Sequence, residues 1–244
     1  MPIVVYCKQC AKKIRAPDSP GKTGRCPRVV FTSSAAVFGG DLPQQVLDTT
    51  YITPQGSYGI QKAIGEMLVT DYSRKGFIDG RALRVPTVSV RPGAANKAAS
   101  SFASGIIREP LAGEASVCPV DASVSHPVAS PGKTIEGLIA VFEASRETFQ
   151  GRTAMNLPGL NVTVAQMLDA LEAVAGPEVR ARVRFERNAQ IAGIVANWSQ
   201  GATAQRAADL GLMPDADFQT IIRQYIADCE LAGLGASALK GFRR

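Results

Sequence analysis

A serine pair, a tyrosine and a lysine are the residues of this chain that could move a proton. Ser33 and Ser34 follow the apolar run 29–32, and Tyr58 lies four residues before Lys62. Residues four apart share one face of a helix, so the Lys62 ammonium would lie beside the Tyr58 phenol and favour its phenolate form. A phenolate can accept the hydroxyl proton of an alcohol as a general base. We therefore predict an alcohol-oxidation site in which Ser34 holds the substrate oxygen and Ser33 lies beside it.

Alternating strand and helix patterns predict the elements that position this site. Residues 29–32 are apolar and largely β-branched, as in a buried parallel strand, and residues 58–74 have apolar side chains at helical spacing. Residues 82–90 predict the next strand, with Pro86 at its carboxyl edge or a bulge. The carboxyl ends of parallel strands are where ligands gather. The predicted fold class is α/β: the C-terminal part of a Rossmann-like doubly wound sheet plus a small α/β substrate region, truncated at the N-terminus.

Composition and charge favour a globular protein and argue against some partners. The 244 residues are 45% hydrophobic and carry a net charge of +6, with basic residues concentrated at both ends. No apolar run reaches the roughly 20 residues of a membrane-spanning helix, and no leader pattern is found, so we expect a cytoplasmic protein without a membrane partner. The basic ends lack interleaved aromatic residues, which argues against nucleic acid and favours a solvated arm.

The first 28 residues differ in character from the rest. Cys7 and Cys10 have the CxxC spacing of a zinc knuckle, and Cys26 follows at a distance typical of a zinc ribbon. Val29 stands where a fourth cysteine ligand would complete the ribbon. Residues 1–28 therefore predict a partial zinc-ribbon-like arm. The alternative is an arm with little fixed structure and three free thiols.

Several long stretches resemble one enzyme family. They read SSAAVFGGDLP, DTTYITPQGSYGIQKAIGEML and DYSRKGFIDGRALRVPTVSVRPG. From residue 29 to about residue 228 the chain resembles the extended short-chain dehydrogenase/reductase superfamily, also called the NAD-dependent epimerase/dehydratase family. Within it, the stretches are most similar to the D-erythronate dehydrogenase-like branch.

The resemblance implies an NAD-dependent oxidation of a small sugar acid, D-erythronate, to its 2-keto form. By position, Tyr58 would be the proton acceptor, Lys62 would bind the cofactor ribose, and Ser34 would contact the substrate. Pro86 and Thr87 would lie beside the nicotinamide.

The resemblance also implies a substrate-binding segment and leaves the quaternary structure open. Asn96 and the residues that follow it would line the substrate side. Arg108 would bind the substrate carboxylate, because its forked donors match two oxygens. A surface ion pair is the alternative for Arg108. The one protein partner considered is a second copy of this chain, in a homodimer.

One departure from the family pattern qualifies these expectations. No GxGxxG or GxxGxxG turn precedes Ser34 between a strand and a helix, although such a turn receives the cofactor pyrophosphate. We therefore predict that residues 29–244 are a truncated domain whose activity is impaired. Three alternatives are a nucleotide-sugar epimerase or dehydratase, a non-catalytic zinc-ribbon-bearing binding protein, and a chain that completes its sheet against another chain.

Overall fold

The computed structural model describes residues 27–93, 98–149 and 153–242, together with the backbone of two short strands near the N-terminus. These two strands, β1 (Val4–Tyr6) and β2 (Lys13–Arg15), pair antiparallel. The later strands are β3 (Arg28–Ser34), β4 (Asp79–Val85), β5 (Thr87–Val88), β6 (Ser116–Cys118), β7 (Ser125–Ala129), β8 (Ala154–Asn156), β9 (Leu160–Thr163) and β10 (Val183–Phe185). The helices are α1 (Ser57–Arg74), α2 (Phe102–Leu111), α3 (Pro131–Glu143), α4 (Val164–Ala175), α5 (Pro177–Arg180), α6 (Ala189–Val195), α7 (Gln205–Ala208), α8 (Phe218–Leu231) and α9 (Gly235–Ala238). This alternation confirms the predicted α/β class.

A parallel sheet of order β3–β4–β8 forms the first half of the described fold. β4 lies in the middle, and six of its seven residues are buried. Side chains alternate across the sheet: Arg84 reaches Glu66 on α1, whereas the neighbouring Leu83 packs near Gly137 on α3. Helices α1 and α3 therefore cover opposite faces of the sheet, as in a three-layer α/β fold.

The second half of the fold contains the largest hydrophobic core. The strands β5, β7 and β9 form one sheet, and β6 pairs with β10 in another. The buried side chains of α2, α4 and α8 join in one cluster. Helix α4 begins with a capping box, in which the Thr163 hydroxyl accepts from the Gln166 backbone N–H and the Gln166 side chain accepts from the Thr163 backbone N–H.

Prolines lie at or near the ends of three described elements. Pro86 divides the strand predicted over residues 82–90, so that β4 and β5 lie in different sheets. Pro110 lies inside the last turn of α2. Pro131 occupies the first turn of α3, where its missing N–H is tolerated, and a separate 3-10 turn follows the end of that helix at Glu143.

Candidate functional site

The turn at the carboxyl end of β3 carries Ser34. Its backbone is extended, and its hydroxyl oxygen accepts a hydrogen bond from the Ala36 amide at 3.2 Å. The chain then makes one 3-10 turn over Ala35–Val37. Ser34 thus ends the strand and caps the turn, at the end of the sheet where ligands of parallel α/β folds bind.

A glycine brings this turn against the first turn of α1. A Cβ placed on Gly59 would collide with the Ala36 carbonyl oxygen and crowd Pro54. Only a residue without a Cβ permits this approach without displacing the backbone. Gly59 immediately follows Tyr58, so the contact holds the start of α1 beside the turn that Ser34 caps. Sequence reasoning missed this role for Gly59.

Tyr58 and Lys62 lie on the first turns of α1, on the side of the helix next to β3. The Tyr58 side chain is 58% exposed. The Lys62 ammonium lies 5.5 Å from the centroid of the Tyr58 ring and 5.1 Å from that of Phe31, and it donates a 2.7 Å hydrogen bond to the Thr32 carbonyl. The β3 backbone thereby fixes a positive charge next to an accessible phenol, which is the arrangement predicted from their spacing.

Ser33 lies elsewhere, although it was expected beside Ser34. It is buried, and its hydroxyl donates a 2.5 Å hydrogen bond to Glu66 on α1. Successive residues of a strand point to opposite faces, so Ser33 turns towards the interior under α1. The structure thus places the Ser33 side chain under α1 and not beside Ser34 at the turn.

A buried ion pair extends this interior contact. Arg84 of β4 donates to both carboxylate oxygens of Glu66, at 2.9 Å from Nε and 2.8 Å from Nη2. Its guanidinium carbon also lies 5.0 Å from the centroid of the Phe38 ring. Glu66 therefore joins β3, β4 and α1 at one point directly beneath the candidate site. Sequence reasoning missed Glu66 and Arg84, because their pairing depends on the parallel register of β3 and β4.

Pro86 and Thr87 lie at the same end of the sheet as Ser34. Ser34 pairs with Val85 at the last position of the β3–β4 register, and Pro86 and Thr87 follow Val85 directly. Their location is the one expected for residues beside a ligand at the carboxyl ends of the strands.

Of the predicted substrate-side residues, Asn96 lies outside the described residues. Arg108 is buried on α2, where it donates to the Arg91 carbonyl at 2.9 Å and pairs with Glu109 at 2.5 Å. Two of the Arg108 guanidinium nitrogens are thus engaged within the chain, so Arg108 already takes part in an internal ion pair.

The predicted zinc ligands, Cys7, Cys10 and Cys26, also lie outside the described residues. Cys118 and Cys229 are free and buried, and burial raises the pKa of the Cys118 thiol. Among the described residues, no group of three or more histidine, cysteine or acidic side chains could hold a metal ion. Nothing in that part of the chain supports a zinc site.

The described residues fit one end of a dinucleotide better than the other. Lys62 and Tyr58 offer a cation and a phenol at the carboxyl end of β3, where a nicotinamide and its ribose could bind. In residues 27–93, 98–149 and 153–242, no GxGxxG or GxxGxxG turn joins a strand to a helix. The described part therefore offers no cradle of this kind for a pyrophosphate. The same part also contains no helix long and apolar enough to cross a membrane.

Comparisons with known proteins find relatives in the same enzyme family. The model of the NAD dependent epimerase/dehydratase family matches residues 14–148. D-erythronate dehydrogenase of Cupriavidus necator is 53% identical over 86% of this chain, and that of Haemophilus influenzae is 45% identical over 82%. The chain spans 64% and 63% of the length of these two proteins.

A solved structure agrees with these sequence relatives. The crystal structure of the nucleoside-diphosphate-sugar epimerase from Agrobacterium tumefaciens superimposes with a TM-score of 0.82 at 45% identity, covering 87% of this chain and 62% of that one. The family model matches more than half of the chain and includes Ser34, Tyr58 and Lys62. The chain therefore belongs to the NAD dependent epimerase/dehydratase family.

Proposed function

We propose that this chain carries the catalytic site of an NAD-dependent dehydrogenase that oxidises a sugar acid such as D-erythronate to its 2-keto form. One observation carries the proposal: the Lys62 ammonium, fixed by the Thr32 carbonyl, lies next to the exposed Tyr58 phenol at the carboxyl end of β3. The names of the two D-erythronate dehydrogenases support the substrate class.

Each residue of the proposed site has a defined task. Tyr58 accepts the proton of the substrate hydroxyl as that oxygen becomes a carbonyl oxygen. Lys62 stabilises the negative charge on the Tyr58 oxygen, and its bond to Thr32 keeps the ammonium in place. Ser34 donates a hydrogen bond to the substrate oxygen.

NAD, when bound, supplies the acceptor for the hydride that leaves the carbinol carbon. Lys62 would bind the ribose, and Pro86 and Thr87 would lie beside the nicotinamide. Because the described residues hold no glycine-rich turn for the pyrophosphate, the proposal includes a low rate for this chain by itself. Asn96 and Arg108 stay proposed substrate contacts, and Arg108 would share its guanidinium between the substrate and Glu109.

A second candidate function is a nucleotide-sugar epimerase or dehydratase. The solved structure at 45% identity is of a nucleoside-diphosphate-sugar epimerase. The two candidates differ in the net reaction, since only a dehydrogenase accumulates NADH. A panel of sugar acids and nucleotide sugars, followed by both NADH formation and product analysis, separates them.

The remaining predictions about the whole protein stay proposals. Zinc on Cys7, Cys10 and Cys26 is checked by metal analysis of the purified chain, where a stoichiometric content would support the site and its absence would remove it. The boundary between an arm at residues 1–28 and the domain at residues 29–244 is checked by limited proteolysis. A homodimer is checked by sedimentation, and a cytoplasmic location by cell fractionation.

The test of the site compares two tyrosine variants. We expect Tyr58→Phe to lower NADH formation from D-erythronate and NAD by about 10²- to 10⁴-fold, the usual contribution of a general base. Tyr51→Phe is the matched control, because Tyr51 is 89% exposed in the loop before α1, and it should keep the rate of the unchanged chain. Equal rates in the two variants would contradict the assignment of Tyr58.

A further inference from the structure

The ammonium of Lys62 lies between two aromatic rings. It is over the ring of Phe31, at 5.1 Å from the centroid, and over the ring of Tyr58, at 5.5 Å. Both distances are within the roughly 6 Å at which the negative face of an aromatic ring attracts a cation. The 2.7 Å hydrogen bond to the Thr32 carbonyl uses one of the three N–H donors of the ammonium. Of these three partners, Phe31 is the one that the proposed chemistry does not already use.

A glycine on α1 makes room for the Phe31 ring. Gly65 lies three residues after Lys62 and therefore on the same side of the helix. A Cβ placed on Gly65 would collide with the outer edge of the Phe31 ring. Glycine in the interior of a helix is less favourable than alanine, so the helix is intrinsically weaker where the ring approaches. The Phe31 ring thus takes the space beside Lys62 that a side chain of α1 would fill.

The contact between β3 and α1 fixes where this ring lies. Phe31 and Ser33 are two residues apart on β3, so their side chains point to the same face of the strand. Ser33 donates to Glu66, which directly follows Gly65 in α1. The hydroxyl contact and the ring contact therefore hold the strand against one turn of the helix. The position of the Phe31 ring beside Lys62 is thus set by the packing of the two elements.

We propose that Phe31 is a positioning residue for the reaction, whose ring holds the Lys62 ammonium beside the Tyr58 phenol. An ammonium next to the phenol favours the phenolate that accepts the substrate proton. The Thr32 carbonyl by itself would let the ammonium pivot about a single hydrogen bond, whereas the carbonyl and two ring faces together define one position. Phe31 acts through Lys62 and not on the substrate. The effect on the rate rests on the proposed function, and the placement of Lys62 does not.

Nuclear magnetic resonance of the full chain tests the placement without NAD or substrate. Methylene protons over the face of an aromatic ring resonate upfield of their usual position. In a lysine-labelled chain, we expect an upfield signal from the Cε protons of Lys62, which disappears in Lys62→Arg. Phe31→Leu should reduce the upfield shift, and Phe31→Tyr should keep it. Phe77→Leu is the matched control, because Phe77 is also half-buried but packs edge-on against Tyr72 at the far end of α1.

Fluorinated phenylalanines at position 31 test the attraction between the ring and the cation. Fluorine withdraws electrons from the ring face and weakens this attraction, with little change in the size of the ring. NADH formation from D-erythronate and NAD should slow stepwise with one, two and three fluorine atoms. Phe31→Leu should lower kcat by about 3- to 30-fold, the factor that corresponds to a cation–π contact, with little change in KM for D-erythronate. Phe31→Tyr should keep most of the rate, and Phe77→Leu all of it.

The outcomes separate this inference from the proposed function. An unshifted Lys62 signal, or a shift that Phe31→Leu leaves unchanged, would overturn the placement. Equal rates along the fluorinated series would overturn the positioning role. A shift that depends on Phe31 in a chain that does not oxidise D-erythronate would support the placement and overturn the proposed function. A thermal melt of each variant separates the loss of the ring contact from the loss of the fold.

Discussion

Removing one partner of the buried Glu66–Arg84 pair should cost the central sheet far more stability than removing one partner of an exposed ion pair. The Arg84 fork donates to both Glu66 oxygens, and Ser33 donates to one of them as well. Both charged side chains are less than a tenth exposed. In Glu66→Gln the Arg84 charge stays buried and loses its partner carboxylate, and it keeps only a neutral amide oxygen and the Phe38 ring as replacements for that interaction.

The expected magnitude follows from what each variant leaves unpaired. Removing one partner of a buried ion pair costs about 3–5 kcal/mol of unfolding free energy, because the other charge stays desolvated. Replacing both partners by apolar residues of similar size is often nearly neutral. The double variant Glu66→Leu with Arg84→Met should therefore recover most of the loss. The recovery is incomplete by about 1–3 kcal/mol, since the Ser33 hydroxyl loses its buried acceptor.

Urea denaturation followed by circular dichroism measures these free energies, with the slope of each transition checked against the unchanged chain. The matched control is Arg74→Ala, which removes an exposed ion pair with Asp71 and should cost at most about 1 kcal/mol. A loss for Glu66→Gln no larger than that of the control would refute the reasoning. A double variant less stable than Glu66→Gln would refute the account of the unpaired charge.

Two other perturbations test the packing beside the candidate site and the core of the second half of the fold. Gly59→Ala should destabilise the fold by about 1–3 kcal/mol, because its methyl group meets the Ala36 carbonyl. Gly193→Ala on α6 is the control, because its Cβ would meet nothing within 4 Å, and its melting temperature should be unchanged or slightly raised. Burial lowers the pKa of His126 to about 4 from its ordinary value of 6.5. As the pH falls, the unfolded chain therefore binds a proton at this residue before the folded chain does, and the free energy of unfolding should fall by roughly 3 kcal/mol between pH 6.5 and pH 4. His126→Phe should flatten that part of a pH series of urea midpoints, and an unchanged pH dependence would contradict this reading.

The juxtaposition of the proposed catalytic residues could be predicted from the sequence because their relation is local. Tyr58 and Lys62 are one helical turn apart, and Ser34 follows a strand-like run directly, so spacing alone places them. The alternation of a strand also contained the signal that Ser33 and Ser34 face opposite ways, and applying it would have removed Ser33 from the predicted site.

The supporting residues could not be predicted because their relation is tertiary. Glu66 and Arg84 are 18 residues apart, and Ser33 is 33 residues from Glu66. Their meeting depends on the register of β3 with β4 and on which face α1 covers. The strand β7 was also missed, since its sequence contains a histidine and a proline and its apolar pattern is short.

The geometry separates the residues that hold the candidate site from the residue proposed to react. Ser34, Tyr58 and Lys62 are positioned by contacts made within the described chain: the Gly59 approach, the Thr32 carbonyl and the Glu66 network. Variants of Glu66 should therefore lower the stability of the chain. Tyr58→Phe removes the hydroxyl of a side chain that is 58% exposed, so it should leave the free energy of unfolding unchanged and lower only the rate. A Tyr58→Phe variant as unstable as Glu66→Gln would show that the phenol is part of the packing, and the division between the two roles would fail.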